Sequence, residues 1–553
     1  PNKTTFDIST PNELAGLALL VDNEIAYYDD PHDANATSGT YSIAGSEFEG
    51  KTIVLNNDIL INENVLNEDG TLNEANTSNF VQWEPIGEPY RIIEEGTNTG
   101  PIIENPRMFK GILNGQENNI KGLYINVEQV SSVSFISQNN GTIKNIKMED
   151  CYIKSENHYV SVLVSLNYGS IENVYCLDSI VITNGSNAGA FVGWNSGIIK
   201  ECTNQSDIRG YQYVGGVAGY SSGGVELCTN EANVTGNNQY VGGIVGYLDA
   251  GTVKQCTNEV NISVIGLSHV GGIVGLSSGP IEDCINHASI MKVSLDNTNN
   301  GSVGGIVAYS VNCYVKNCYN FGEVLGERAN SAGITGVGEN STYINCYNKA
   351  YIKGQENYSS QYVGGIIGSA FGNVLIQNCY NLGMISGLGF SDVCAGGIYG
   401  QVGLSAGTYK TNTLTIQNCY NWGNIEGLAV GGIGGAANTQ SLHLQYGYNL
   451  TTNLIGTNRL GGILGYFRNT WDEIQHNISN VYHINNTFFG ESIPSTATVT
   501  NTGLINADGT FPNSTPYADL LSALNAWVDT NKGTYPELKN WVMGDNGYPT
   551  FAD

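Results

Sequence analysis

Apolar residues in this chain fall in short β-branched runs separated by Gly, Asn, Ser and Thr, and the runs return in a fixed order. A glycine-rich phrase comes first: VGGVAG at 214–219, VGGIVG at 241–246 and 270–275, VGGIIG at 363–368. A second phrase, I/V-x-x-C-[T/Y]-N, follows as VELCTN at 225–230, VKQCTN at 253–258, VKNCYN at 315–320 and IQNCYN at 376–381 and 416–421. A third run ends near a glycine, as VTG at 234–236 and IEG at 425–427. No run reaches helical length, and Val, Ile and Tyr dominate, so each run predicts a strand. Self-similarity at a fixed period predicts a stacked repeat architecture.

Counting fixes the register. One slot is filled in turn by Ile146, Val174, Cys202, Cys228, Cys256, Cys284, Cys318, Cys346, Cys379, Cys419, Gly447 and Val481, with shortest spacings of 26 to 28 residues. The predicted fold is all-β: a parallel β-solenoid (right-handed β-helix) of about 12 coils of three short strands, with small α/β caps at both ends. Coils about 4.8 Å apart place like residues above like residues. The slot after the cysteine holds Thr203, Thr229 and Thr257, then Tyr319, Tyr347, Tyr380, Tyr420, Tyr448 and Tyr482. With the cysteine inward, these tyrosines form an outer ladder. The next slot is Asn in nine coils from Asn204 to Asn449, and stacked Asn side chains can bond one another up such a column.

The ends break the period. In TFDISTPNELAGLALLV (5–21), Thr10, Pro11 and Glu13 predict a capped helix start. GKTIVLNNDILI (50–61) alternates as a strand, and PYADLLSALNAWV (516–528) reads as a second amphipathic helix, with Trp541 as a core anchor beyond it. Open solenoid ends need covering. The expected division is an N-terminal capping region over 1–108, the solenoid over 109–490 and a C-terminal cap over 491–553.

Composition narrows the function. The net charge is −28 with only 22 scattered Lys and Arg, which argues against nucleic acid and anionic membranes. No stretch is long and apolar enough for a membrane span. Eight of the twelve cysteines share their slot with Ile, Val and Gly, so they are expected to be reduced, buried fillers rather than bridges or ligands. Cys151, Cys176, Cys313 and Cys394 lie outside the column. No C-x-x-C or H-E-x-x-H occurs, and neither a metal nor a cofactor is expected.

GIVG at 243–246 and 272–275, GIIG at 365–368 and GILG at 462–465 resemble the short motif called GLUG, found in surface proteins of gut and oral Gram-positive bacteria. The segments WEPIG (83–87), FKGILNGQENNIKGLYI (109–125) and the closing GYPTF (547–551) are similar to the usual flanks of such arrays. GLUG arrays resemble the N-terminal regions of immunoglobulin A-cleaving metallopeptidases and of adhesin-like proteins. The resemblance implies an extracellular β-solenoid, secreted or anchored to the cell wall, with signal and anchor outside this sequence. It does not carry over the protease.

Strands committed to stacking leave chemistry to the inserts. Two inserts, 401–412 and 467–476, fall at the same corner two coils apart. They offer Tyr409, Lys410, Arg468, Trp471, Asp472 and Glu473 as a ligand-binding set, flanked by Phe467 and His476. A second aromatic column of Trp194, Tyr220, Tyr247, Tyr309 and Tyr466 is interrupted by Leu276 and Ser369. The expected function is a monomeric, surface-displayed binding, adhesion or spacer module that contacts a glycan or protein on a host or food surface. The alternative is a carbohydrate-active enzyme, a glycoside hydrolase or lyase, on the same scaffold. No catalytic residues are identifiable, because the paired carboxylates such an enzyme needs do not share a slot.

Overall fold

The computed structural model describes residues 3–22, 47–87, 107–128, 130–294, 301–354, 361–389, 393–403, 413–438, 441–451, 453–467, 475–484, 490, 497–506, 510–512 and 517–552. The fold is a parallel β-solenoid. The chain forms two compact units, Pro1–Asn237 with Val241–Thr252, and Asn238–Tyr240 with Val253–Asp553. Among the described residues no helix is long and apolar enough to cross a membrane.

Each coil turns where the sequence makes turning cheap. In the first unit one coil runs through strands Gln212–Gly215, Ala218–Ser221, Gly224–Glu226, Thr229–Asn230 and Val234–Gly236. The three runs are all present, and corners at Gly216–Val217 and Leu227–Cys228 divide two of them. A Cβ on Gly216 would sit 2.3 Å from the carbonyl oxygen of Gly243 in the next coil, so the first corner needs glycine for close approach. At the second corner the residue before the cysteine slot is left-handed in every coil, from Asn145 (φ 55) to Asn480 (φ 54). Asn fills that position seven times (145, 173, 317, 345, 378, 418 and 480) because it tolerates positive φ better than other residues with a Cβ.

Register within each unit follows the counted slot. Val174 pairs with Ile146, Cys419 with Gly447, and Gly447 with Val481. All twelve cysteines are buried, and none is in a disulfide. In the second unit the Asn slot forms a continuous hydrogen-bonded column. Asn286 Nδ2 donates to Asn320 Oδ1 at 2.8 Å, Asn320 to Asn348 at 2.8 Å, Asn348 to Asn381 at 2.8 Å and Asn381 to Asn421 at 2.8 Å. Each also donates to a carbonyl two residues on, as Asn320 does to Gly322 at 2.9 Å. The Asn at the left-handed corner makes a second, partly exposed column: Asn345 to Asn317 at 3.0 Å, Asn378 to Asn345 at 2.9 Å and Asn418 to Asn378 at 2.8 Å.

The N-terminal region of the first unit supplies levels to the same stack. Thr5–Ile8 pairs with Thr52–Leu55, which pairs with Ile112–Asn114, which pairs with Thr142–Glu149. Helix α1 (Pro11–Asp22) carries the expected box: the Glu13 amide donates to Thr10 Oγ1 at 3.3 Å, and the Thr10 and Ser9 amides donate to the Glu13 carboxylate at 3.1 and 2.7 Å. In the second unit helix α2 (Leu520–Asn531) begins later than expected, because Asp519 rather than an upstream residue caps it, accepting from the Ser522 amide at 2.8 Å.

This C-terminal segment lies along the flank of the tyrosine ladder. Tyr319, Tyr347, Tyr380, Tyr420 and Tyr448 stack in sequence with ring centroids 4.3 to 5.2 Å apart. The ladder faces outward only at its first rungs. Tyr420, Tyr448 and Tyr482 are buried with Leu524, Trp527, Val528 and Trp541 in one apolar cluster. Tyr420 Oη and Thr550 Oγ1 are 3.1 Å apart, and Tyr448 Oη donates to the Pro549 carbonyl. Polar contacts fix the edge: Asn378 Nδ2 donates to the Glu537 carbonyl at 2.6 Å, and Lys316 pairs with Glu537 at 2.8 Å.

Candidate functional site

The first unit has a groove of about 720 Å³. Its floor is a column of glycines, Gly111, Gly141, Gly169, Gly197 and Gly223. Each is required by stacking: a Cβ on Gly141, Gly169, Gly197 or Gly223 would lie 2.0–2.1 Å from the carbonyl oxygen of the glycine one coil before. Buried amides hold these turns. Asn139 Nδ2 donates to Asn167 Oδ1 at 2.7 Å, Asn167 to Asn195 at 2.8 Å and Asn195 to Ser221 Oγ at 3.0 Å. The same side chains donate to the carbonyls of Gly141, Gly169, Gly197 and Gly223 in their own turns. The local signal is N-x-G or S-x-G at 139–141, 167–169, 195–197 and 221–223.

Beside the groove runs an aromatic rim that reaches its lining through Tyr168. Trp194, Tyr220 and Tyr247 occupy paired positions of successive strands. Trp194 and Tyr220 are near parallel, 10° apart with centroids at 5.9 Å. Tyr247 meets Tyr220 edge to face at 5.2 Å, and Tyr168, from the turn preceding Gly169, tilts against Trp194 at 5.4 Å. These separations suit aromatic pairs. Asp249 fixes the upper rings, accepting from Tyr220 Oη at 2.8 Å and Tyr247 Oη at 3.1 Å. Burial first, then that carboxylate, pushes the Tyr220 phenol well above its usual range, so it stays a neutral donor.

The opposite rim stacks Ile112, Thr142, Ser170, Ile198 and Gly224 in register. Ile198 is 51% exposed, Ile112 39% and Tyr168 42%, so apolar surface gathers here in the open. Lys110 is the cation at the groove's end, and Glu47 neutralises it at 2.5 Å. No Asp or Glu is among the groove's described lining residues.

Glycine also shapes the strand that carries the rim. A Cβ on Gly246 would sit 2.5 Å from the Tyr213 backbone and 2.6 Å from the Gly219 carbonyl oxygen, so V-G-G-I-V-G must end in glycine to let coils approach. Residues 237–263 match the GLUG motif. The GLUG stretch contributes Tyr247 and Asp249 to the rim. The solved structure of a "putative immunoglobulin A1 protease" from Bacteroides ovatus is similar across 99% of this chain and 92% of that one, at 15% identity and a TM-score of 0.24; at that score the likeness carries no weight for function. No curated protein matches the chain.

The expected ligand set, Tyr409, Lys410, Arg468, Trp471, Asp472 and Glu473, lies outside the described residues. Its flanks are described. Phe467 and His476 are buried and pack on each other at 5.1 Å, and His476 Nδ1 accepts from the Leu442 amide at 3.2 Å. They form the root of an insert rather than a contact surface. Of the second aromatic column, Trp194, Tyr220 and Tyr247 come together, while in the second unit Leu276 stands beside Tyr309 on one side and Val337, Ser369, Gln401 and Ala436 separate Tyr309 from Tyr466 on the other. The reading from sequence missed Tyr168 and the N-x-G turns.

Proposed function

We propose that this chain is an extracellular, surface-displayed β-solenoid that binds glycans, and that the groove between the Tyr168–Trp194–Tyr220–Tyr247 rim and the Ile112–Ile198 rim is where it does so. The observation that carries this is the rim itself: three aromatic rings in register, Trp194, Tyr220 and Tyr247, with Tyr168 tilted against the first of them, beside exposed aliphatic side chains, hydroxyls and a glycine floor. Sugar rings present apolar C–H faces and polar hydroxyl edges, and a concave surface with aromatic walls and few placed polar groups matches both. Cleavage would need two carboxylates flanking one bond. Asp249 is held by two phenols, so binding is the reading this geometry favours over the enzyme.

The test is a glycan array on the chain, followed by calorimetry on the best ligand. Trp194→Ala should weaken binding at least about tenfold, the effect of losing about 1.4 kcal/mol. A Tyr409→Ala/Trp471→Ala double variant, in the two inserts, should bind normally. If the double variant loses the ligand and Trp194→Ala keeps it, the inserts rather than the groove are the site. If sugar products appear, the enzyme reading replaces this one.

A further inference from the structure

A second groove, of about 400 Å³, lies in the second unit between the strands and the C-terminal segment. Its lining includes Thr342, Asn373, Leu375, Thr413 and Thr415 from three successive levels, and Tyr535 from beyond the end of α2. Side chains alternate along a strand, so Thr413 and Thr415 point the same way, and Leu375 and then Thr342 stand in register with Thr415. Tyr535 ends a stack of rings: Tyr446 and Trp527 lie at 4.4 Å and 19°, and Trp527 and Tyr535 at 6.3 Å and 27°. Trp527 thus backs one face of a ring that is 37% exposed and lines the groove. The segment just beyond is tied to the coils, where Asn418 Nδ2 donates to the Lys539 carbonyl at 3.0 Å and the Lys539 amide donates to Asn378 Oδ1 at 3.3 Å. The ring is therefore in place before any ligand arrives, which lowers the cost of binding.

Only side chains can meet a ligand on this floor. Asn373–Gln377 pairs with Thr342–Ile344 on one side and with Thr413–Asn421 on the other, and Thr413–Asn421 pairs in turn with Ser441–Asn449. A peptide would find no open strand edge to extend. Among the described residues the hydroxyls of Thr342, Thr413 and Thr415 and the side-chain amide of Asn373 bond no other protein group. Each can both donate and accept, as sugar hydroxyls do. A purely aromatic ligand would stack on the ring and leave this row unused, whereas a sugar has an apolar C–H face for the ring and a hydroxyl edge for the row. We propose that this groove is a second saccharide site, argued independently of the first unit's groove, in which one sugar ring stacks on Tyr535 and bonds Thr413 and Thr415. The site is complete only once the C-terminal segment has docked, because that segment supplies Tyr535 and strands more than a hundred residues earlier supply the threonines.

A printed array of mono- and oligosaccharides tests this on the intact chain and on three variants. Trp194→Ala removes the first unit's aromatic wall, and a set of array signals should persist in it. Calorimetry on the sugars behind those persisting signals should then show at least about tenfold weaker binding in Tyr535→Ala and in a Thr413→Val/Thr415→Val double variant. Valine keeps the branched shape that suits a strand and deletes only the hydroxyls, so the double variant should melt as the unmodified chain does. If every signal disappears in Trp194→Ala, this inference is overturned and the first unit's groove stands. Persisting signals that survive both of the other variants overturn it as well. If they are lost in Tyr535→Ala but kept in the threonine variant, Tyr535 acts by holding the C-terminal segment, and the assigned sugar contacts are wrong. An array on which no sugar binds overturns the proposed function too.

Discussion

Asn320 is a fully buried amide at the middle of the second unit's column, and replacing it by Ala shows what such a column is worth. Three hydrogen bonds disappear: those from Asn320 Nδ2 to Asn348 Oδ1 and to the Gly322 carbonyl, and the one Asn320 Oδ1 accepts from Asn286. The neighbours are not fully stranded, because Asn286 still donates to Ala288 at 3.0 Å and Asn348 Oδ1 still accepts from the Ala350 amide at 3.2 Å. At about 1 kcal/mol net per bond, with part of a desolvation penalty, the cost is about 2–4 kcal/mol. The loss falls on local opening, because each coil touches mainly its neighbours. Cys318, buried two residues away, reports it. At tenfold per 1.4 kcal/mol, the open population and with it native-state alkylation of Cys318 should rise about 30- to 700-fold. Alkylation in dilute reagent, localised by peptide mass spectrometry, measures this. Labelling within twofold of the unmodified protein would refute the idea that the amide column holds the coils shut.

The cysteine slot and one buried histidine give two further expectations. Cys256→Val should cost about 1 kcal/mol or less, since the slot already holds Val at 174 and 481, whereas Cys256→Asp should cost several kcal/mol by burying a charge between stacked coils; melting curves of both variants check this. Burial, reinforced by the nearby Lys292 charge, pushes His269 down to about 4, and its Nδ1 lies 2.7 Å from Ser302 Oγ. Below an unfolded value of about 6.5 the unfolded chain takes up the proton first, so stability should fall as pH drops from 6.5 toward 4, by up to about 3 kcal/mol. His269→Asn should flatten that slope in urea titrations across this window, and an unchanged slope would show that His269 is not its source.

What the sequence disclosed was whatever repeats in register. The cysteine slot, the Asn column from Asn204 and the tyrosine stacking follow from position alone, because a parallel stack converts spacing into contact. The capped start of α1 was equally legible, since Thr10 and Glu13 act within one turn. The left-handed corner escaped notice because its side chains vary: Leu227, Gln255 and Tyr446 hold the same φ as the Asn residues, and backbone geometry leaves a weaker trace than a repeated side chain. Tyr168 was missed because it sits beside the rim slot, where Leu166 stands in register with Trp194. The burial of Tyr420 and Tyr448 was illegible for another reason: what covers them comes from more than a hundred residues downstream, and no periodicity points to it.

That downstream cover sets an order of events as the chain folds. Coils close over contacts some thirty residues apart, as Asn320 with Asn348, so each can form soon after its residues are available. The flank waits much longer. Asn378 meets Glu537 across 159 residues, and Tyr420 meets Thr550 across 130. Until the final segment arrives, the rings of Tyr420, Tyr448 and Tyr482 face water as an adhesive strip on an otherwise finished surface. Such a strip is the kind of transient apolar exposure that drives aggregation of late intermediates. Docking of the last residues is therefore the step that separates a soluble product from a sticky one, and chains that stop short of Trp541 should accumulate in the second state.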